Sequence, residues 1–278
     1  MHILEALILG IVQGLTEFLP VSSTAHVELA RGLMDWPSKE LGAPFTAVIQ
    51  LGTLLAVFVY FRRDIVRTVR LWTRGLVSKD GRDTPEYRLG WAVFIGTLPI
   101  VFCALLFQDQ IESTLRSMSV IALSLIALAL LLWVAEMTAS HRREMHTVRW
   151  WDGLVVGVFQ AMALVPGVSR SGSTITGALF LGFDRATAAR LSFLLSFPSI
   201  LLAGVYEAVK FRADLLSAGL VEVVVATAAA FFVGWATIEG LLRFLRTHTT
   251  AVFIVYRVAL GIGLLILLYS GVIRQNYP

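Results

Sequence analysis

Charge is scarce in this chain, and the scarcity excludes most of what a chain of 278 residues could be. Asp, Glu, Lys and Arg supply 15% of the residues while 57% are hydrophobic, against about 25% charged in soluble domains. A water-soluble globular fold is therefore ruled out. The net charge of +4 does not point to nucleic acid either. Such a partner needs basic residues on a folded soluble face, and here the positive charge falls mostly in short loops. Cysteine is nearly missing. Cys103 stands alone in an apolar segment, which excludes an intrachain disulfide and a cysteine-built metal site. The first apolar run has no basic residues before it and no small-residue cleavage site after it, so a removable signal peptide is not expected.

What the chain does have is apolar length. Continuous hydrophobic runs cover residues 46–61, 89–107, 120–135, 191–209, 220–242 and 252–270. Each is close to the ~20 residues that cross a hydrocarbon layer of roughly 30 Å. Two further apolar stretches, 3–33 and 151–183, are interrupted by polar clusters with proline. They are too broken for ordinary spans and too apolar for surface loops. Each is expected to be a re-entrant helical hairpin, because broken backbone at membrane depth is tolerated only inside protein or along a cavity. The expected fold class is an all-α polytopic membrane protein, with six transmembrane helices and two re-entrant hairpins forming one integral domain over residues 1–278. The order of broken and continuous segments repeats, 1–137 and then 148–271. Three crossings per half make the second copy inverted, the usual plan of secondary transporters.

Lys and Arg set the expected orientation. Arg62, Arg63, Arg67, Arg70, Arg74, Lys79, Arg82 and Arg88 crowd one loop, and Arg142, Arg143 and Arg149 another, so both are assigned to the cytoplasm. Arg185, Arg190, Arg243 and Arg246 thread to the same side, leaving Arg31, Lys39, Arg116, Lys210, Arg212 and Arg274 opposite. The first hairpin then enters from outside and the second from the cytoplasm.

The interruptions carry the chemistry. In LTEFLPVSSTAH, Gln13 and Glu17 share a helical face, Pro20 breaks the helix, and Ser22, Ser23 and Thr24 start the next one. Free N–H groups and the helix dipole there favour an anion. His26 follows one turn later, so a hydroxyl nucleophile, an imidazole and a carboxylate can converge. In PGVSRSGST, Arg170 sits among Ser169, Ser171, Ser173 and Thr174. Its planar fork of donors matches phosphate oxygens. The plainer readings are hydroxyls bonded back to their own helix and a structural Arg170–Glu17 ion pair, which would still bring the clusters together. Intramembrane charge, at about 2.5–3.5 kcal/mol per residue on insertion scales, favours a functional site. Elsewhere, Glu136, Glu207 and Lys210 are expected at the interface, and Glu239 and Arg257 as a structural pair. Gln50 and glycines 52, 96, 204, 234, 261 and 263 are expected to pack helices, and tryptophans 36, 72, 91, 150 and 151 to form an interfacial belt.

QGLTEFLPVSSTAH and PGVSRSGSTITG closely resemble the two signature motifs of the bacterial undecaprenyl-diphosphate phosphatases associated with bacitracin resistance. The likeness extends to FTAVIQLGTLLAV, to SFLLSFP at Ser192 to Pro198, and to Tyr256 and Arg257. The resemblance implies removal of the terminal phosphate from the isoprenoid diphosphate carrier, regenerating the monophosphate for peptidoglycan synthesis. It implies Ser23 as nucleophile, Glu17 as the acidic residue, His26 as the motif histidine, and Arg170 with Ser169 as phosphate ligands. It also implies Mg²⁺ or Ca²⁺, a multi-pass protein of the bacterial inner membrane, and a site open to the periplasm. Gln13 stands where many members carry Glu, which leaves Glu17 as the cluster's carboxylate and as the protein ligand of a substrate-bridged ion. Ser22, Thr24, Ser171, Ser173, Thr174 and Gln13 complete the expected phosphate-binding set. Membrane lipids and a second copy of the chain are the other expected partners. The inverted repeat keeps a carrier-lipid flippase or anion transporter open as the alternative activity.

Overall fold

The computed structural model describes residues 2–33, 42–112, 115, 117–210, 212 and 219–273. Trp36, Lys39, Arg116 and Arg274, assigned above to the belt or the loops, lie outside the described residues. In chain order the helices are α1 (Ile3–Phe18), α2 (Ser23–Leu33), α3 (Gly42–Val77), α4 (Pro85–Leu106), α5 (Gln108–Glu112), α6 (Met118–Thr138), α7 (Trp150–Met162), α8 (Arg170–Phe180), α9 (Arg185–Lys210), α10 (Leu220–Thr247) and α11 (Ala251–Tyr269).

Six of them, α3, α4, α6, α9, α10 and α11, are long and apolar enough to cross a membrane, and they coincide with the six runs read from hydropathy. The protein is an all-α polytopic membrane protein. The two interrupted stretches fold as helix–break–helix, α1/α2 and α7/α8. Their helices of 16, 11, 13 and 11 residues reach about 16–24 Å at ~1.5 Å per residue. None of the four covers a roughly 30 Å hydrocarbon layer by itself.

One expectation is corrected. Residues 62–77 form no loop, because α3 bends at Phe61 (φ −99°, ψ 18°) and continues as helix to Val77. Arginine density suggested a loop, but the shielded positions 61, 64, 65, 68, 71, 72 and 75 recur at three- and four-residue spacing, the signature of an amphipathic helix. Trp72 packs on that face so closely that a Cβ on Gly90 would lie 2.5 Å from its ring. Arg67 pairs with Glu86 at 2.9 Å.

Without a hydrophobic drive between helices in lipid, association depends on close backbone approach at small residues. α1 lies along α10 and α7 lies along α4, so the first broken segment packs on a late span and the second on an early one. A Cβ on Gly10 would sit 2.3 Å from the Ala226 carbonyl, and one on Gly153 would sit 2.0 Å from that of Ala92. Gly52 and Gly96 pack as expected, whereas a Cβ on Gly263 would meet nothing within 4 Å among the described residues, so that glycine packs against none of them. Under the two breaks Phe18, Phe61 and Phe193 form an aromatic core, with Phe18 edge-on to Phe193 at 5.2 Å.

Several charged groups near helix ends are paired. Arg143 grips the fully buried Asp152 through two N–H groups at 3.0 and 2.6 Å, and Arg190 pairs with Asp64 at 2.6 Å. Glu136, near the end of α6, accepts from Arg185 and, at 2.8 Å, from Thr250, tying α6 to α9 and the start of α11.

Candidate active site

α1 stops at Phe18 because Leu19 turns extended ahead of Pro20, as the residue before a proline is driven to do. The chain then passes through Ser22 at φ 74° and re-enters helix at Ser23. The second break is built the same way. After Pro166, Gly167 takes φ 93° with its Cα against the Ile121 backbone, where a Cβ would be 2.5 Å from the carbonyl oxygen. Ser169 follows at φ 71°, and helix resumes at Arg170. Ser22 and Ser169 thus hold matching left-handed positions, each costing about 1–3 kcal/mol, the kind of strain that clusters at functional sites. Both act as caps: Ser22 Oγ accepts from Ala25 N–H at 3.4 Å and Ser169 Oγ from Gly172 N–H at 3.1 Å.

The breaks are fastened to each other. Ser171 Oγ donates to the Leu19 carbonyl at 2.9 Å and lies 3.1 Å from Ser169 Oγ. Beneath both breaks lies Arg257, fully buried. Its guanidinium donates to Pro20 in the first break at 3.2 Å, and to Gly167 and Val168 in the second at 3.1 and 3.0 Å. It also reaches Ser124 and Leu125 of α6 at 3.4 and 3.2 Å. The expected Glu239–Arg257 pair is therefore incorrect. Glu239 accepts from Tyr60 and from Arg243, one turn further along α10.

Around this clamp the predicted residues divide into two groups. Glu17 is buried, and its Oε2 accepts from Gln13 Nε2 at 2.7 Å and from Ser23 Oγ at 2.9 Å. Arg170 Nη1 stands 3.9 Å from Glu17 Oε1. That is close enough for attraction and too far for a hydrogen bond. Arg170 Nε and Nη1 are buried without a hydrogen-bond partner, and so is Gln13 Oε1. Ser23, Thr24 and His26 are partly accessible, at the start of α2. Glu17, Ser23, Arg170 and Gln13 therefore meet at one place, where the N-termini of α2 and α8 begin.

Ser22, Ser173 and Thr174 face elsewhere. Ser22 is 1% exposed. The hydroxyls of Ser173 and Thr174 return to the Arg170 carbonyl at 3.0 and 2.7 Å, and Thr174 also meets Ser192 Oγ at 2.6 Å. These residues build α8 and dock it on α9.

His26 lies beside the cluster and both its ring nitrogens are engaged. Nδ1 is 2.7 Å from the Ser22 carbonyl and Nε2 is 2.6 Å from the Tyr256 hydroxyl. Sequence reasoning did not assign a role to Tyr256 and mistook Arg257's partner. The usable signal was a charge six residues inside an apolar run, which defaults to function in a membrane.

A carboxylate accepting a serine proton, two helix N-termini and a guanidinium with unsatisfied donors form an arrangement suited to an anionic electrophile. Comparison with known proteins agrees. A family model described as "Bacitracin resistance protein BacA" matches residues 6–263. Relatives named undecaprenyl-diphosphatase include one from Myxococcus xanthus, 52% identical over 98% of this chain and 91% of the relative. One from Chlorobium chlorochromatii is 47% identical over 99% of this chain and 100% of the relative. One from Chlorobaculum tepidum is 46% identical over 98% and 99%.

Proposed function

We propose, given that this chain belongs to the bacitracin resistance protein BacA family, that it hydrolyses undecaprenyl diphosphate to undecaprenyl phosphate and inorganic phosphate. The activity recycles the lipid carrier for peptidoglycan synthesis, and faster recycling confers bacitracin resistance. One observation carries this reading: two buried guanidinium nitrogens of Arg170 lack a partner within reach of Glu17 and its bonded Ser23. Unsatisfied buried charged donors are costly, and a phosphate oxygen supplies what they lack.

Ser23 Oγ attacks the terminal phosphorus as its proton passes to Glu17 Oε2, the acceptor it already faces. The Oγ–P bond forms, the bridging P–O bond breaks, and its electron pair leaves on undecaprenyl phosphate. Water then attacks the phosphoserine, releasing inorganic phosphate and returning the serine proton. Phosphoryl transfer needs mainly positioning and charge stabilisation, which Arg170, the helix N-termini and the buried charge of Arg257 provide. Direct attack by water with Ser23 as ligand is the other route, distinguished by the absence of a phosphoserine.

The donor set fits a divalent ion only in company with substrate. Among the described residues there is no group of three His, Cys, Asp or Glu that could hold a metal. Glu17, Ser23 and Gln13 nevertheless offer the oxygen donors that Mg²⁺ or Ca²⁺ prefers. Bound between Glu17 and substrate phosphates, the ion would supply positive charge to them.

The chain lies in the bacterial inner membrane, the hairpins entering from opposite faces and the site open to the periplasm. The positive-inside distribution and the reciprocal packing of α1 on α10 and α7 on α4 support this placement. A flippase or anion carrier is not favoured, since the relatives are named as diphosphatases. Purified protein in detergent, given polyprenyl diphosphate, tests the reading. Phosphate release should be lost in Ser23→Ala, Glu17→Ala and Arg170→Ala, and a wild-type protein that releases none would overturn it.

A further inference from the structure

Tyr256 has no assigned part in the chemistry, yet its backbone is tied to the site through its neighbour. Its neighbour Arg257 is bonded to both breaks and to α6, so the backbone of α11 at this level is fixed relative to the site. From that base the Tyr256 hydroxyl reaches His26 Nε2 at 2.6 Å. The two rings lie parallel, 9° apart with centroids at 5.6 Å. Tyr256 is 43% exposed, so burial alone does not force this contact. On the far side of the imidazole, Nδ1 lies 2.7 Å from the Ser22 carbonyl. A carbonyl only accepts, so Nδ1 carries the hydrogen and Nε2 receives the phenol proton in a hydrogen bond.

We infer that Tyr256 is a positioning residue for His26. It holds the ring plane beside the hydroxyls at the start of α2 by engaging Nε2, while the Ser22 carbonyl sets the Nδ1–H tautomer. The inference rests on the phosphatase reading and deepens it. With both nitrogens engaged, His26 is not the group that takes the serine proton. That proton goes to Glu17, and the imidazole acts as an oriented neutral partner at the mouth of the site. Ser22 carries the other half of the device, since its left-handed backbone, φ 74°, directs its carbonyl at Nδ1.

Tyr256→Phe removes the hydroxyl and keeps the ring, and the test compares it with His26→Ala and the double variant. Loss of one oriented hydrogen bond should lower kcat about tenfold and leave KM within about twofold. Because Tyr256 acts through His26, the double variant should be no slower than His26→Ala alone. A Tyr256→Phe enzyme with wild-type kcat, or a double variant in which the two losses multiply, would overturn the inference. A second readout is independent of turnover. In protein labelled with ¹⁵N-histidine, His26 should show one protonated Nδ1 and one unprotonated Nε2, and Tyr256→Phe should move the Nε2 resonance as its hydrogen bond is lost while Nδ1 stays protonated on the Ser22 carbonyl. An unchanged His26 pattern in Tyr256→Phe refutes the positioning role, whereas absent phosphate release in wild type refutes only the phosphatase reading.

Discussion

Arg257→Met removes the clamp while keeping the length and apolar character of the stem. The guanidinium bonds five carbonyls, but those of Ser124 and Leu125 belong to α6 and have helical N–H partners of their own. The carbonyls of Pro20, Gly167 and Val168 lie in the breaks, outside any helical ladder. Leaving buried acceptors unsatisfied costs about 1–3 kcal/mol each, so the loss lies between about 3 and 9 kcal/mol. Water can follow the polar breaks, and removing a buried charge is itself favourable, which places the expected value near the lower end. About 3 kcal/mol corresponds to a fall in Tm of roughly 6–12 °C for a chain of this size. The consequence for activity is larger. The clamp sets the distance between the break that presents Ser23 and the break that presents Arg170, and a misplacement of about 1 Å costs on the order of 10²-fold in rate. Arg257→Lys retains the charge but at most three donors, so it should recover part of the melting temperature and little of the turnover. Thermal unfolding in detergent, followed by phosphate release from polyprenyl diphosphate at a temperature where every variant is folded, measures both effects. An Arg257→Met protein that melts with wild type and turns over normally would refute the clamp.

Other expected outcomes follow from the same geometry. Arg170→Lys keeps a charge but loses the planar fork, and kcat/KM should fall about 10²-fold; activity within threefold of wild type would mean the fork is not used. Ser23→Ala should abolish incorporation of labelled phosphate into protein in a rapid acid quench, and label persisting in that variant would remove Ser23 as nucleophile. Asp152→Ala leaves Arg143 without its buried carboxylate and should destabilise by about 3–5 kcal/mol, visible as a lower melting temperature with kcat of the folded fraction intact. Gly153→Ala forces a Cβ to 2.0 Å from the Ala92 carbonyl, so α7 and α4 must separate at a cost of about 1–3 kcal/mol; an unchanged melting temperature would contradict the close approach.

The fold was legible where physics leaves a compositional trace. Long apolar runs marked α4, α6, α9, α10 and α11, and the charges of Glu17 and Arg170 stood out because hydrocarbon penalises them. The arginine-rich end of α3 was misread, since counting charges hides a helical period that the shielded positions from Phe61 to Gly75 preserve. Arg257 was visible as an anomaly and assigned to the wrong partner. Its partners are backbone carbonyls, which every residue has, so nothing in the sequence names them. The same limit hid the left-handed backbone of Ser22 and Ser169, since serine at such positions is uncommon and carries no glycine-like signal. Among the site hydroxyls, sequence spacing could not separate those that face Glu17 and Arg170 from Ser173 and Thr174, which bond back into their own helix. That division depends on side-chain rotamers and on which neighbour lies within reach.

The claim on which all of this depends is that Glu17 and Arg170, contributed by opposite halves of the chain, serve a single headgroup. Turnover of polyprenyl diphosphate by Glu17→Gln, Arg170→Gln and the double variant measures it most directly. Groups acting as a unit are grossly non-additive, so the double variant should be little slower than the worse single one. Losses that simply multiply would mean two independent sites and would contradict the shared one.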